Sequence, residues 1–202
     1  MRISKLLRLP LPILSAILIV VLYSTAQSQE PPTSSQSGQK EAEKYFTDVV
    51  LVSQDGQKMR LFSDLMKDKV VIIHSFFSTC TSACPVINSR LQKIQDAVGD
   101  KLGKSVHILS ISVDPVTDVP ERLKAHAAKL HARPGWYFLT GEKENVDFAL
   151  KKLGLYVANK EDHQTILIVG NLPTGLWKKV FALAEAPEIW KVIESVINDK
   201  GQ

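Results

Sequence analysis

The sequence predicts one compact α/β domain behind an N-terminal export segment. Short apolar runs rich in β-branched residues alternate with amphipathic helical patterns, which indicates crossover connections and parallel strands. The chain of 202 residues, 45% hydrophobic and 23% charged, has the size and composition of one globular domain with appended segments. We expect the organised domain to span residues 45–199.

Residues 1–26 are typical of a secretory signal peptide. Three basic residues, Arg2, Lys5 and Arg8, precede the apolar run Leu9–Leu22, and Ser24-Thr25-Ala26 predicts cleavage after Ala26. An uncleaved N-terminal membrane anchor is the alternative interpretation. Both place the remaining chain outside the cytoplasm, either free in the periplasm or tethered to the inner membrane and facing the periplasm.

Residues 27–44 are rich in Gln, Ser and Pro and poor in large apolar residues, which predicts a disordered linker. The net charge of +4 comes mostly from the signal segment. The rest of the chain has nearly equal numbers of basic and acidic residues, so its charge does not indicate a nucleic-acid partner. Only the first segment could enter a membrane, which excludes a polytopic transporter. We therefore expect membrane contact only through a possible N-terminal anchor.

The domain is predicted to begin with a β-hairpin and a buried strand. Val49–Val52 and Lys58–Leu61 flank an Asp-Gly turn. The continuous apolar run Val70–Phe77 is typical of a strand buried on both faces. A helix is expected from Cys84-Pro85, with Pro at its first turn, to Gly99.

The same alternation continues through the middle of the chain. Val106–Val113 is predicted to be a second buried strand. Asp118 is expected to cap the following helix, with Glu121 completing a capping box. A short strand, Trp136–Leu139, and a helix closed by Gly154 come next.

The last elements are predicted to be a hairpin, Thr165–Val169 with Leu176–Phe181, and a helix from Pro187. The hairpin adds antiparallel strands to an otherwise parallel arrangement. Together the elements predict an α/β, thioredoxin-like three-layer sandwich, in which helices flank a mixed central sheet that also carries the N-terminal β-hairpin.

Both cysteines, Cys80 and Cys84, lie where the first buried strand turns into a helix. The helix N-terminus favours thiolate over thiol, so we expect at least one acidic sulfur. A structural Cys80–Cys84 disulfide is one interpretation for an exported protein. However, closing a five-residue loop stabilises a fold by only about 2 kcal/mol, so the placement favours chemistry.

Three chemistries could use this pair: thiol–disulfide exchange, peroxide reduction and metal binding, for which soft thiolates favour Cu(I). Two sulfurs are too few for a closed four-ligand zinc site, so a third ligand would come from elsewhere. His163, in a polar loop before the late hairpin, is the candidate, with Asp162 orienting its imidazole; an exposed loop histidine is the alternative interpretation. We expect His74 to be a core residue and His126 to serve packing.

Five segments of this chain together resemble the Sco/SenC family, exported copper chaperones of cytochrome c oxidase assembly. In order, and covering residues 48 to about 198, they are Cys80-Thr-Ser-Ala-Cys84-Pro85, Ile111-Ser-Val-Asp-Pro115, Asp118 with Pro120-Glu121, Leu139-Thr-Gly141, and Asp162-His163. The resemblance implies a thioredoxin-like fold with one copper ion, Cu(I) or Cu(II), bound by Cys80, Cys84 and His163. It also implies a copper-accepting partner such as a cytochrome oxidase subunit.

The chain departs from the family pattern at three places. Thr81 stands where Pro often follows the first Cys, and Gln164 where Ser commonly follows the His. Only Leu155–Glu161 separate Gly154 from Asp162, where most members have a longer insertion.

Two function classes remain open: a copper-delivering metallochaperone, which we expect, and a thiol–disulfide oxidoreductase acting on a partner's copper-site cysteines. In the second class Cys80 and Cys84 would be catalytic. No Pro directly precedes Thr165, unlike in thioredoxin-type reductases, and Phe77 stands where peroxiredoxins have Pro. Because the pair could form a disulfide in an oxidising compartment, we also expect a thiol reductant as a partner.

Overall fold

The computed structural model describes residues 34–201, which form a seven-stranded sheet with helices packed on both faces. The predicted signal segment, residues 1–26, lies outside the described residues, as do linker residues 27–33. Across residues 34–201, no helix is both long enough and apolar enough to cross a membrane.

Helices alternate with strands along most of the described chain. The helices are α1 (Ser34–Phe46), α2 (Cys84–Val98), α3 (Pro120–Lys129), α4 (Lys143–Leu153) and α5 (Ala186–Ile197). The strands are β1 (Val50–Ser53), β2 (Lys58–Arg60), β3 (Val70–Phe76), β4 (Val106–Ser112), β5 (Trp136–Thr140), β6 (Ile166–Asn171) and β7 (Leu176–Phe181). A π-helix, Leu61–Met66, follows β2, and short 3₁₀ turns occupy Gly99–Lys101 and Lys160–Asp162.

The strands lie in the order β2-β1-β5-β4-β3-β6-β7 across the sheet. The three central strands β3, β4 and β5 are parallel, and the hairpins β1–β2 and β6–β7 form the antiparallel edges. The hairpins join the centre through antiparallel β1–β5 and β3–β6 pairs. The predicted mixed sheet with flanking helices and an N-terminal hairpin is therefore confirmed.

Strands β3 and β4 are buried along their whole length, as their apolar runs predict. His74 in β3 is a core residue, because its Nε2 lies 2.7 Å from the Ser110 hydroxyl, which also accepts a bond from the Trp136 indole at 2.9 Å. Burial lowers the pKa of His74 to about 3, so this imidazole stays neutral. The prediction of a core role for His74 is confirmed.

Two hydrophobic cores lie on opposite faces of the sheet. One is shared by α2, α3 and α5, whose inward residues include Leu91, Leu123 and Ile193. The other is shared by α1, the π-helix and α4. The predicted packing role of His126 is also confirmed, because its ring stacks on Phe76 in the first core at a centroid distance of 5.6 Å.

Helix α1 corrects the prediction of a disordered linker for residues 34–44, the part of residues 27–44 that the structure describes. From Ser34 the chain is helical, Ala42 packs against the second core, and Phe46 is only 8% exposed. The Phe46 ring lies 5.4 Å from Trp177 of β7. Composition suggested disorder because residues 27–44 have few apolar residues. Ala42 of that segment and Phe46 just beyond it are at helical spacing, and both pack in the second core.

If α1 is an integral part of the domain, Phe46→Ala should lower the free energy of unfolding by about 3 kcal/mol, because the substitution leaves a cavity under the helix. Chemical denaturation of the purified protein measures this change. Tyr45→Ala is the matched control, since Tyr45 is its neighbour in the same helix and is 52% exposed. Equal, small effects of the two substitutions would show that α1 does not dock.

Candidate metal centre

The two cysteines lie at the carboxyl end of central strand β3. After β3 the chain forms a short loop that carries Cys80, and Cys84 is the first residue of α2. Pro85 follows in the first turn of the helix, where its missing N–H costs no hydrogen bond. The predicted strand-to-helix placement of both thiols is confirmed.

His163 reaches the same place from the other side of β3. It lies three residues before the start of β6, which pairs antiparallel with β3 in the register Val70↔Asn171 to Ile73↔Ile168. In an antiparallel pair the start of one strand lies beside the end of the other. The residues before β6 are therefore beside the cysteine loop, although about 80 positions separate them in sequence.

The three predicted ligand side chains come together. His163 Nε2 lies 3.3 Å from Cys84 Sγ and 4.0 Å from Cys80 Sγ, and all three atoms are within 4.8 Å of one another. Cys84 and His163 are 3% and 8% exposed, whereas Cys80 is partly exposed. The donors thus form a compact group that solvent or a partner reaches from the side of Cys80.

The imidazole of His163 is oriented by a backbone group. Its Nδ1 lies 3.1 Å from the carbonyl oxygen of Lys160, and its ring packs edge-to-face against Phe77 at 5.2 Å. The expectation that Asp162 orients this ring is wrong, because Asp162 is exposed and the Lys160 carbonyl takes that position. The intervening 3₁₀ turn, Lys160–Asp162, turns the Asp162 carboxylate outward while it directs a main-chain oxygen inward.

The two thiols differ in acidity. Burial, reinforced by the neighbouring Cys80, raises the pKa of the Cys84 thiol to about 12. Burial also acts to raise the pKa of Cys80, but hydrogen bonds from the Cys84 thiol, the Ser82 hydroxyl and nearby backbone N–H groups outweigh it and lower that pKa below its usual value. One acidic sulfur was expected. The helix N-terminus does not make Cys84 acidic, because that sulfur is buried.

Asp118 has a different role from the predicted helix cap. Helix α3 begins after Val119 with no side-chain cap, and Asp118 is fully buried. Its carboxylate accepts bonds from the Ser78 backbone N–H at 3.0 Å, the Ser112 hydroxyl at 2.6 Å and the Ser78 hydroxyl. It therefore ties the cysteine loop to the end of β4. Ser112 is a near neighbour in sequence, but Ser78 is 40 positions away, and local spacing cannot indicate that contact.

Two sulfurs and one imidazole nitrogen are a soft donor set that suits Cu(I) and also fits Zn²⁺ or Cu(II) chemically. Both cysteines are free in this structure, so each sulfur is available as a ligand. The predicted Cys80–Cys84 disulfide stays a prediction. Three donors within 4.8 Å can converge on one ion and leave a further coordination position open.

A central strand that ends in a Cys-x-x-x-Cys turn, with a histidine beside it, defines a class of thioredoxin-like proteins with a soft-metal site. A family model described as SCO1/SenC matches residues 35–182. The chain therefore belongs to the SCO1/SenC family.

Individual relatives agree with this assignment. The SCO1 protein homolog of Bacillus subtilis (strain 168) is 31% identical over 118 residues, which cover 57% of this chain and 60% of that protein, less than two thirds of its length. The structure of BsSco, described as a member of the Sco family of cytochrome c oxidase assembly proteins with a disulfide switch, is 26% identical, with a TM-score of 0.60, and the match covers 73% of this chain and 90% of that one.

The structure of yeast Sco1 with copper bound is similar in fold. Its TM-score is 0.60 at 24% identity, over 74% of this chain and 90% of that chain. These structures confirm the predicted thioredoxin-like arrangement of the sheet and its flanking helices.

The exposure and acidity of the two sulfurs predict different alkylation rates. In the reduced, metal-free protein, iodoacetamide should modify Cys80 well before Cys84, because Cys80 is partly exposed and has the lower pKa. Peptide mass spectrometry at successive times measures both rates. Cys80→Ser and Cys84→Ser proteins serve as single-thiol controls, and faster modification of Cys84 would contradict the described geometry.

Proposed function

We propose that this protein binds one copper ion through Cys80, Cys84 and His163 outside the cytoplasm and delivers it to a partner metalloprotein. The convergence of these three donor atoms within 4.8 Å carries the proposal. Membership of the SCO1/SenC family and the copper-bound structure of yeast Sco1 support it. The process we propose is assembly of a copper centre of cytochrome c oxidase.

The chemistry of the donors suits an ion that has to leave again. Cu(I) is stable with two or three soft ligands, so two thiolates and an imidazole hold it without closing its coordination shell. Cys80 is partly exposed whereas Cys84 is buried, so a ligand of the accepting protein could enter from the side of Cys80. Exchange could then proceed ligand by ligand, with no release of free copper.

The predicted signal segment supports export as part of the proposal. Arg2, Lys5 and Arg8, the apolar run and the small residues before Gln27 form the pattern expected for translocation. With cleavage the protein would be periplasmic. With retention of residues 1–26 it would be tethered to the inner membrane, and the domain would face the same compartment.

Copper stoichiometry of the reduced protein tests the site. We expect one equivalent of copper, and loss of tight binding in Cys80→Ser and Cys84→Ser, because each substitution leaves a single thiolate. Elemental analysis after desalting, with a competing chelator, gives stoichiometry and affinity. Unchanged affinity in either cysteine variant would rule out this site.

The histidine contributes differently to the two oxidation states. His163→Ala should weaken Cu(II) more than Cu(I), since imidazole matters more for the harder ion. His131→Asn is the matched control, because His131 is exposed and Asn tolerates its positive φ of 49°.

A second candidate function is thiol–disulfide exchange with a partner's copper-site cysteines. The observation that favours it is the asymmetry of the pair: a partly exposed, more acidic Cys80 could attack, and the buried Cys84 could resolve the mixed disulfide. In that reaction the partner's disulfide gains two electrons and Cys80–Cys84 becomes a disulfide. A thiol reductant would have to restore it.

Redox state should control metal loading, because copper and the disulfide use the same two sulfurs. Oxidised protein is expected to bind copper poorly and to recover one equivalent after reduction, which chelator competition on both forms measures. Insulin reduction separates the two function classes. Rapid catalytic turnover by metal-free protein, lost in Cys84→Ser and unchanged in His163→Ala, would favour the oxidoreductase.

A further inference from the structure

The short loop before β6 is anchored by an ion pair between Lys160 and Asp114. Lys160 Nζ lies 2.8 Å from Asp114 Oδ2, and the Asp114 side chain is only 15% exposed. The same ammonium group lies 5.2 Å from the centre of the Phe77 ring, whose edge-to-face contact with His163 is described above. Lys160 thus contacts the two neighbouring segments that surround the imidazole.

The main chain of Lys160 contacts the imidazole of His163 directly. Its carbonyl oxygen lies 3.1 Å from His163 Nδ1. A carbonyl can only accept, so a neutral imidazole in this contact carries its proton on Nδ1 and its lone pair on Nε2. Nε2 is the nitrogen that lies 3.3 Å from Cys84 Sγ. The contact therefore selects the tautomer that can bind a metal on the side of the sulfurs.

Asp114 is itself held firmly. Its backbone N–H donates to the Ser112 hydroxyl at 3.0 Å, and its carbonyl accepts from the backbone N–H groups of Thr117 and Asp118 at 3.1 and 2.9 Å. Asp118 in turn binds Ser78 at the start of the cysteine loop. The ion pair therefore attaches the His163 loop to the same turn that fixes the cysteine loop.

We propose that Lys160 is a positioning residue for His163, and that its ion pair with Asp114 sets how well the third ligand reaches the metal. This inference rests on the proposed copper-binding function. When the ion pair is broken, the 3₁₀ turn loses its attachment and the carbonyl no longer stays aligned with Nδ1. Breaking the ion pair does not alter the two thiolates, so the loss of metal affinity should equal part of what His163 contributes to binding.

We expect substitutions that break the ion pair to lower the affinity for Cu(II) more than the affinity for Cu(I). Lys160→Gln and Asp114→Asn should each weaken Cu(II) binding about tenfold or more, the usual effect of removing a group that orients a ligand. Cu(I) binding should change less, since two thiolates suffice for it. The electron paramagnetic resonance spectrum of the Cu(II) form should shift towards that of His163→Ala.

Two controls separate positioning from general stability. Lys160→Arg preserves the ion pair and should retain wild-type Cu(II) affinity. Lys143→Gln breaks another lysine–aspartate pair, Lys143–Asp147 on α4, whose side chains are 58% and 22% exposed, and should have no effect on copper binding. Nitrogen NMR of the metal-free protein gives an independent readout, because Lys160→Gln should increase the fraction of His163 protonated on Nε2.

The outcomes distinguish this inference from the function on which it rests. If His163→Ala weakens Cu(II) binding and Lys160→Gln does not, the positioning role is wrong and the copper site stands. Equal losses of Cu(I) and Cu(II) affinity together with lower unfolding stability would also overturn it. If the wild-type protein fails to bind copper, the proposed function fails, and the tautomer measurement still decides whether Lys160 orients the ring.

Discussion

The antiparallel pairing of β6 with β3 is the contact on which the site depends. Continued beyond the paired residues, its register sets Thr165 opposite Phe76, just where the cysteine loop begins. A shift of one residue would exchange Leu167 and Val169, which pack in one core, with Ile168, which packs in the other, so the packing of both cores favours this register. The pairing thus brings a histidine about 80 positions away to within hydrogen-bonding distance of Cys84.

Charged groups, more than regular secondary structure, hold the loops around the three donors. The buried carboxylate of Asp118 joins the cysteine loop to the end of β4 through Ser78 and Ser112. A buried carboxylate is costly unless it is fully hydrogen-bonded, and several donors satisfy this one. The Asp114–Lys160 ion pair connects the loop that carries His163 to the turn after β4, which also contains Asp118. The cysteine loop and the histidine loop are therefore both attached to this one turn.

The difference between the two thiols links copper binding to redox chemistry. Cys84 lies in the protein interior beside His163, whereas Cys80 lies towards solvent. A metal ion would stabilise both sulfurs as thiolates, including the one that burial keeps protonated. Oxidation would remove both ligands together. A protein with this geometry can therefore use its two sulfurs either to bind a metal or to form a disulfide, but not for both at the same time.

The alternation of apolar runs and helical patterns determined the α/β architecture, both hairpins and the placement of Cys80 and Cys84, because these depend on local periodicity and on where a strand meets a helix. Its loop position made His163 the candidate third ligand, and the resemblance then implied the full set of Cys80, Cys84 and His163. Only the tertiary structure decided that Lys160 and not Asp162 orients the imidazole, that Asp118 is a buried tie between loops, and that α1 packs on the sheet. Burial decided the raised pKa of the Cys84 thiol, and hydrogen bonds that outweigh burial decided the lowered pKa of the Cys80 thiol. The Asp118–Ser78 contact and the packing of α1 join residues far apart in sequence, and neither spacing nor composition carries information about which distant groups will meet. The Lys160–His163 contact is local, but it depends on the backbone geometry of the 3₁₀ turn, which the residue pattern does not specify.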